Sequence, residues 1–279
     1  MIKAVQQFQL GTVLNNEKRA REVLSLMKES GYDGIELCGF MIRKTPFFVR
    51  LLTAAAGMPS GNGGLNWKAL IAESELKVVS LHEDLDRILT KTDEVEETAK
   101  SFHTNNVVLT GIYNFNFTDG KSLLSLIDKL NQAGTKLKDR GIRFLYHNHN
   151  AEFLRANGER VYDVIIRHTD PECVFFEFDS YWACEAGCDA LSVMKGLGDR
   201  MKLWHINDRG SKLKKKAITP ILRSDSMELG TGNMNLIPML EYAKAIGVEA
   251  VILESHRNWI DSSPVRSFQV SAKFLNENL

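Results

Sequence analysis

Gly31-Tyr32-Asp33-Gly34-Ile35-Glu36-Leu37-Cys38 follows the amphipathic stretch Glu17–Ser30. In that stretch Ala20, Val23, Leu24 and Met27 fall on one helical face, and Gly31 stops the helix as a left-handed C-cap residue. Gly34–Cys38 then reads as a short apolar strand. The same phrase, a helix, then glycine, then a strand, returns at Gly141-Ile142 and Gly247-Val248. A turn recurring at separate points of one chain marks a repeated β/α unit.

Working outward, the candidate strands are Ala4–Leu10, Gly34–Cys38, Lys77–His82, Asn106–Thr110, Arg143–Asn148, Val174–Asp179, Lys202–Asn207 and Ala250–Glu254. Most are continuous apolar runs, as expected of parallel strands covered on both faces. Helical patterns lie between them, including Asp93–Phe102 and Lys121–Asp139, and a last helix follows Ser263-Pro264-Val265. Eight units in 279 residues average about 35 residues each, the size of a β/α module. The expectation is α/β: one (β/α)8 TIM barrel over residues 1–279. No Gly-x-Gly-x-x-Gly follows the first strand, so the dinucleotide-binding signature is missing. The clearest loop is Gly57-Met58-Pro59-Ser60-Gly61-Asn62-Gly63-Gly64, read as a flexible linker or part of a lid; it is not a P-loop, because no Gly-Lys-Ser/Thr follows.

Composition excludes several classes. Lys plus Arg and Asp plus Glu both number 35, and hydrophobic residues make up 44%, ordinary for a soluble globular chain. The balanced charge argues against a nucleic-acid partner, and the basic run Lys212–Lys216 reads as a solvated loop. No apolar run is long enough to span a membrane, and Met1–Gln7 lacks the apolar core of a signal peptide. Cys38, Cys173, Cys184 and Cys188 are too few and too scattered for a zinc knuckle or a disulfide framework. Free thiols in a cytoplasmic protein are expected.

Unusual polar residues gather where such barrels carry their chemistry, at the C-terminal ends of strands. The ends read Glu36, His82-Glu83-Asp84, Tyr146-His147-Asn148-His149, Glu177-Phe178-Asp179, Trp204-His205-Ile206-Asn207-Asp208 and Glu254-Ser255-His256. Five of the seven histidines lie there. Singly, each has an ordinary structural role; Asp179, for example, precedes Ser180 as a helix N-cap would. Jointly they crowd one barrel mouth with carboxylates whose charge is costly without a cation. Mixed carboxylate and imidazole ligands suit one divalent metal ion, Mn²⁺, Mg²⁺, Co²⁺ or Zn²⁺.

The motifs Tyr146-His147-Asn148-His149-Asn150-Ala151-Glu152-Phe153, Asp179-Ser180-Tyr181-Trp182, His205-Ile206-Asn207-Asp208, Gly230-Thr231-Gly232-Asn233-Met234-Asn235 and Glu254 stand in a telling order. In this the chain resembles the xylose isomerase-like superfamily, in particular its sugar phosphate isomerase/epimerase branch, related to ketose 3-epimerases and inosose dehydratases. The resemblance implies metal ligands Glu152, Asp179, His205 and Glu254, with His147 and His149 competing for the first position. It implies catalytic roles for Glu152, Glu254, His147 and His149. To the substrate pocket it assigns Glu36, His82, Tyr181, Trp182, Asp208 and Glu228; for the two aromatics, plain packing is the alternative. Members are often dimers or tetramers, so a homo-oligomer is compatible with it. Three positions depart: Asn207 stands where many relatives have lysine, Asn235 where many have aspartate, and Ser255-His256 where a Gln-Asp pair is common. The missing lysine removes a cation suited to a substrate phosphate.

The activity so implied is that of a sugar or keto-sugar isomerase or epimerase, working by proton transfer through a metal-stabilised enediolate. The same apparatus serves a lyase or dehydratase on a keto-inositol or 3-keto-glycoside, and the two-histidine motif suits the acid that elimination needs. Endonuclease IV-like DNA repair fits poorly with the balanced charge. The non-enzyme alternative is a degenerate sugar-binding barrel.

Overall fold

The computed structural model describes residues 1–43, 64–213 and 222–279. Gly57–Gly63 of the glycine-rich loop lie outside them, and with them the linker and lid readings. Of the basic run, Lys214–Lys216 lie outside, while Lys212 and Leu213, expected in a solvated loop, end a strand paired with Leu222–Met227. Eight strands, β1 (Ile2–Gln6), β2 (Gly34–Cys38), β3 (Lys77–Glu83), β4 (Asn106–Leu109), β5 (Arg143–His147), β6 (Val174–Asp179), β7 (Met201–Ile206) and β8 (Ala250–Leu253), pair in parallel and close into a barrel in sequence order. The chain therefore has the TIM-barrel fold expected from its repeated unit. No helix among the described residues is long and apolar enough to cross a membrane. All four cysteines are free thiols.

The repeated glycine phrase is a Schellman motif. Gly31, Gly141 and Gly247 have φ of +96°, +71° and +74°. The following amides, of Tyr32, Ile142 and Val248, donate back to the carbonyls of Met27, Leu137 and Ala243 at 3.1, 3.0 and 2.9 Å. Each closes the orphan carbonyls of a helix end and aims the chain at the next strand. Starts are capped as well: Asn16, Asp119 and Ser263 accept the amides of Arg19, Ser122 and Arg266. The last helix, Pro264–Asn278, returns to the first β/α unit, where the Tyr32 hydroxyl donates to the Phe268 carbonyl at 2.9 Å.

One strand is shorter than expected. β1 stops at Gln6, and Gln7–Leu10 form a 3₁₀ turn. The buried amides explain this: Gln7 Oε1 accepts the Cys38 N–H at 2.8 Å and Gln9 Oε1 accepts the Ser255 N–H at 2.9 Å. Side chains here satisfy backbone groups at the end of β2 and just past β8, which continued pairing would have left open.

Alternation along each strand sorts side chains between the helical shell and the bore. Val107 and Leu109, Phe144 and Tyr146, Phe176 and Phe178, Trp204 and Ile206, and Val251 and Leu253 join the large cluster shared with the helices. Their intervening partners face inward. Ala4, Val79, Val108, Leu145, Leu203, Ala250 and Ile252 form a separate apolar plug from six strands. Two residues after Leu145, Leu203 and Ile252 the same inward rows change from apolar to ionisable, at His147, His205 and Glu254.

Candidate metal centre

The inward row beyond the plug carries Glu36 (β2), His82 (β3), His147 (β5), Glu177 and Asp179 (β6), His205 (β7) and, just past β8, Glu254. None is more than 7% exposed. Their ligand-type atoms converge in two groups that share His205, namely His147, Asp179, His205 and Glu254, and Glu36, His82, Glu177 and His205.

The second group is the more tightly drawn together. Four ligands at about 2.1 Å from an ion stand roughly 3.4 Å from one another. In the first group Asp179 Oδ2 lies 3.6 Å from His147 Nε2 and 3.9 Å from His205 Nδ1, and Glu254 Oε2 lies 3.2 Å from His205 Nδ1. In the second, His82 Nε2 and His205 Nε2 approach Glu36 Oε1 and Glu177 Oε2 at 2.7 to 3.1 Å, which is hydrogen-bond distance. The first group holds one such bond, between His205 Nδ1 and Glu254 Oε2, and is otherwise spaced for an ion, whereas in the second every imidazole–carboxylate pair is bonded.

Each ligand atom of the first group is held from behind. His147 Nδ1 lies 3.4 Å from the Thr110 carbonyl, while its Nε2 is buried without a hydrogen-bond partner. Asp179 Oδ1 accepts the Trp182 N–H at 3.1 Å, so the N-cap role is real and leaves Oδ2 free for the centre. Asn148 brackets the Asp179 backbone, donating to its carbonyl and accepting its N–H. An orphaned buried imidazole nitrogen facing two carboxylates is a donor set that fits a divalent cation.

Electrostatics agree. Burial lifts the Asp179 carboxyl; nearby His147 lowers it in part, the charge of Glu254 lifts it again, and it stands at about 6. Burial would lift Glu254 too, but the charges of His205 and His256 outweigh it and hold Glu254 well below the usual carboxylate range. Burial depresses His82, yet Glu36 and Glu177 raise it to about 10. Burial and the charge of His147 push His149 down to about 3, so it is neutral at physiological pH.

The expected site residues divide. Asp179, His205 and Glu254 come together as anticipated, and the fourth atom at their centre is His147 Nε2. Glu152, expected there, is turned aside: its Oε1 accepts the Tyr146 hydroxyl at 2.8 Å and its Oε2 the His149 N–H at 3.2 Å. β5 ends at His147, and Glu152 sits in the 3₁₀ turn Ala151–Phe153 beyond it, off the inward row. Glu36 and His82 lie beneath the mouth in the second group. His149 packs against His147, with ring centroids 4.8 Å apart, and reaches the rim. Trp182 stands between His149 and His256, at 5.7 and 6.2 Å, with Tyr181 stacked edge-on behind it. The cavity over the centre is lined by Asp179, Tyr181, Trp182, Asn207, Glu254 and His256, among others.

Asp208 and Glu228, expected in the substrate pocket, are occupied with backbone. Asp208 Oδ2 accepts the amides of Gly230 and Gly232 at 3.0 and 2.9 Å, and Oδ1 those of Arg209 and Met234 at 2.8 and 3.1 Å. A Cβ on Gly232 would collide with this carboxylate, which is what the glycine is for. Glu228 Oε1 accepts the Ile260 N–H at 2.8 Å. Asp208→Ala orphans several amides at once, so a loss of about 2–4 kcal/mol is expected in denaturant unfolding, with metal affinity unchanged. A loss of metal with unaltered stability would return Asp208 to the site.

Sequence reading gave no role to Glu177 or Asn148. Glu177 shares the inward parity of Asp179 two residues on, and that spacing was the available signal.

The chain belongs to the xylose isomerase-like TIM barrel family, whose model matches residues 24–278. Among curated relatives, an inosose dehydratase of Clostridium perfringens is 31% identical over 111 residues, 38% of this chain and 35% of its own length. A second from that species is 25% identical over 70% of this chain and 65% of the relative. The inosose dehydratase of Clostridium beijerinckii is 21% identical over 95% of this chain and 91% of the relative. Of solved structures, a sugar phosphate isomerase/epimerase from Parabacteroides distasonis superposes with a TM-score of 0.72 at 21% identity, over 99% of this chain and 98% of that one. An IOLI protein with a bound zinc atom gives 0.69 at 16% identity, over 99% and 97%. An L-ribulose 3-epimerase gives 0.67 at 14%, over 100% and 95%. Members of the family are enzymes, among them epimerases and dehydratases.

Proposed function

We propose that the protein is a divalent-metal-dependent enzyme that removes the proton beside the carbonyl of a keto-sugar or keto-cyclitol, and that a β-leaving group then departs. The convergence of His147, Asp179, His205 and Glu254 at ion-like spacing, under a mouth walled by Trp182, carries this reading. A divalent ion held by these four residues supplies Lewis acidity, which acidifies the neighbouring C–H. The chain's own residues do the rest. Glu254 presents Oε2 toward the centre and Oε1 toward His256 Nε2, 2.8 Å away. Oε1 is the carboxylate oxygen left to take the proton, and His256, one-third exposed, lies between that oxygen and solvent. Trp182 walls the mouth and offers an apolar face to a sugar ring.

Elimination is preferred over epimerisation on geometry, and over isomerisation on the inosose dehydratase relatives. Inverting a stereocentre takes a second base on the opposite face of the substrate. Glu152, the carboxylate expected to supply it, is bonded to Tyr146 and to the His149 amide instead. His149 remains at the rim with a ring N–H to offer a departing oxygen. The inosose dehydratase relatives support the same choice.

The test is one experiment on the metal-loaded enzyme in D2O with a panel of keto-sugars, inososes and 3-keto-glycosides, followed by proton NMR and ultraviolet absorbance. Loss of water or aglycone with a new conjugated chromophore is the expected result. Deuterium uptake with an isomeric ketose and no chromophore would establish the isomerase or epimerase reading instead. Neither reaction, in protein with no bound metal, would leave the sugar-binding barrel.

A further inference from the structure

Beneath the proposed centre, Glu36, His82 and Glu177 converge on its ligand His205; these three take no part in the reaction just described, yet they are buried. We propose that Glu36 and Glu177 are positioning residues: together they grip Nε2–H of His205, so that Nδ1, and only Nδ1, faces the ion. The inference rests on the metal-dependent reading above.

Glu36 Oε1 lies 2.7 Å and Glu177 Oε2 3.0 Å from His205 Nε2. An ionised carboxylate only accepts, so the proton of a metal-bound His205 stays on Nε2 and the lone pair stays on Nδ1. Partners behind a ligating imidazole fix its tautomer and ring orientation in this way. Two further features brace the grip. The His82 ring lies parallel to that of His205, with centroids 5.5 Å and planes 8° apart, and its Nε2 bonds the same two carboxylates at 3.1 and 2.8 Å. Gln6 and Ser80 add donors to Glu36 at 3.2 and 2.5 Å.

The backbone is shaped to the same end. The β2–β3 ladder slips between Ile35 and Glu36, and the β6–β7 ladder slips between Phe176 and Glu177. Those are the only two slips among the described barrel strands; the extra residues are Val79 on β3 and Lys202 on β7, each facing the step into one of the gripping carboxylates. An extra residue bends the strand that holds it, and the two strands so bent carry His82 and His205, the imidazoles that meet the two carboxylates. Glu177 Oε1 is left buried without a hydrogen bond, so the residue keeps a costly carboxylate where one accepting oxygen is used.

The test is cobalt binding to wild type, Glu177→Ala, Glu177→Gln and Glu36→Ala, by competition with a chelator, with the visible Co²⁺ spectrum and thermal unfolding followed alongside. The wild type is expected to bind one equivalent. Both alanine variants should bind it about 10–100-fold more weakly, with a changed Co²⁺ band as His205 turns. Glu177→Gln, whose carbonyl oxygen can still accept from Nε2–H, should recover most of the affinity and the band. Alanine variants with wild-type affinity and spectrum would overturn the positioning role and leave the centre intact. Two equivalents in the wild type and one in Glu177→Ala would overturn it by making the lower group an ion site itself. If Glu177→Ala does not fold, the affinity and band of Glu36→Ala decide between the same outcomes. A wild type that binds no ion refutes the metal-dependent reading directly, and the positioning role with it.

Discussion

Glu254→Gln should keep its metal ion and lose turnover by about 10²–10⁴-fold. Glutamine places a carbonyl oxygen where Oε2 faces the centre and an amide nitrogen where Oε1 faces His256. The first preserves a neutral oxygen ligand. The second cannot take a proton. Only the proton acceptor is removed, which separates this variant from Glu254→Ala, where the ligand goes as well. The rate of solvent deuterium exchange beside the carbonyl reads the step itself and does not depend on which product follows. A variant that exchanges within about threefold of wild type would take the base role from Glu254. His149, on the facing side of Trp182, would be the next candidate by position.

The fold was legible because it is written locally and often. The Gly31-Tyr32, Gly141-Ile142 and Gly247-Val248 phrases each specify one helix end through a positive φ that glycine adopts without strain. Seven of the eight strands follow as apolar runs covered on both faces. β1 misled because Gln7 and Gln9 continue the pattern of a strand in the sequence while their side chains serve backbone amides elsewhere. The antiparallel ribbon Asp208–Leu213 with Leu222–Met227 was missed, since Lys212–Lys216 masks its β character behind charge.

The site was legible as a place and only partly as a set of roles. Strand-end position brought Asp179, His205 and Glu254 forward correctly as neighbours. It could not tell a carboxylate that meets an ion from one that meets amides, because both stand just past a strand. Asp208 is the clearest case: its four backbone partners lie in a loop more than twenty residues away as well as next door. Glu177 was visible at a strand end but had no motif to give it work. Its role depends on a ladder slip, which no side-chain pattern announces.

The choice between His147 and Glu152 has the largest expected effect on metal binding. Tight sites release ~10–16 kcal/mol over four ligands, or about 3 kcal/mol each, so losing one weakens binding roughly a hundredfold. His147→Ala should therefore raise the dissociation constant for Co²⁺ or Zn²⁺ by about that factor. Glu152→Gln should leave it within about twofold. Glu152→Gln should instead lower stability by about 1–3 kcal/mol. Its carbonyl can still accept the Tyr146 hydroxyl, but its NH₂ then faces the His149 N–H, donor against donor. The two variants thus move two different measurements, a chelator titration and a denaturation midpoint. The reverse outcome, metal lost in Glu152→Gln and kept in His147→Ala, would require the turn Ala151–Phe153 to unwind and extend the inward row of β5 past His147. That rearrangement would also restore a second carboxylate to the centre, opposite Glu254. The elimination reading would then give way to two-base epimerisation, so this pair of variants bears on the reaction as directly as on the ligand set.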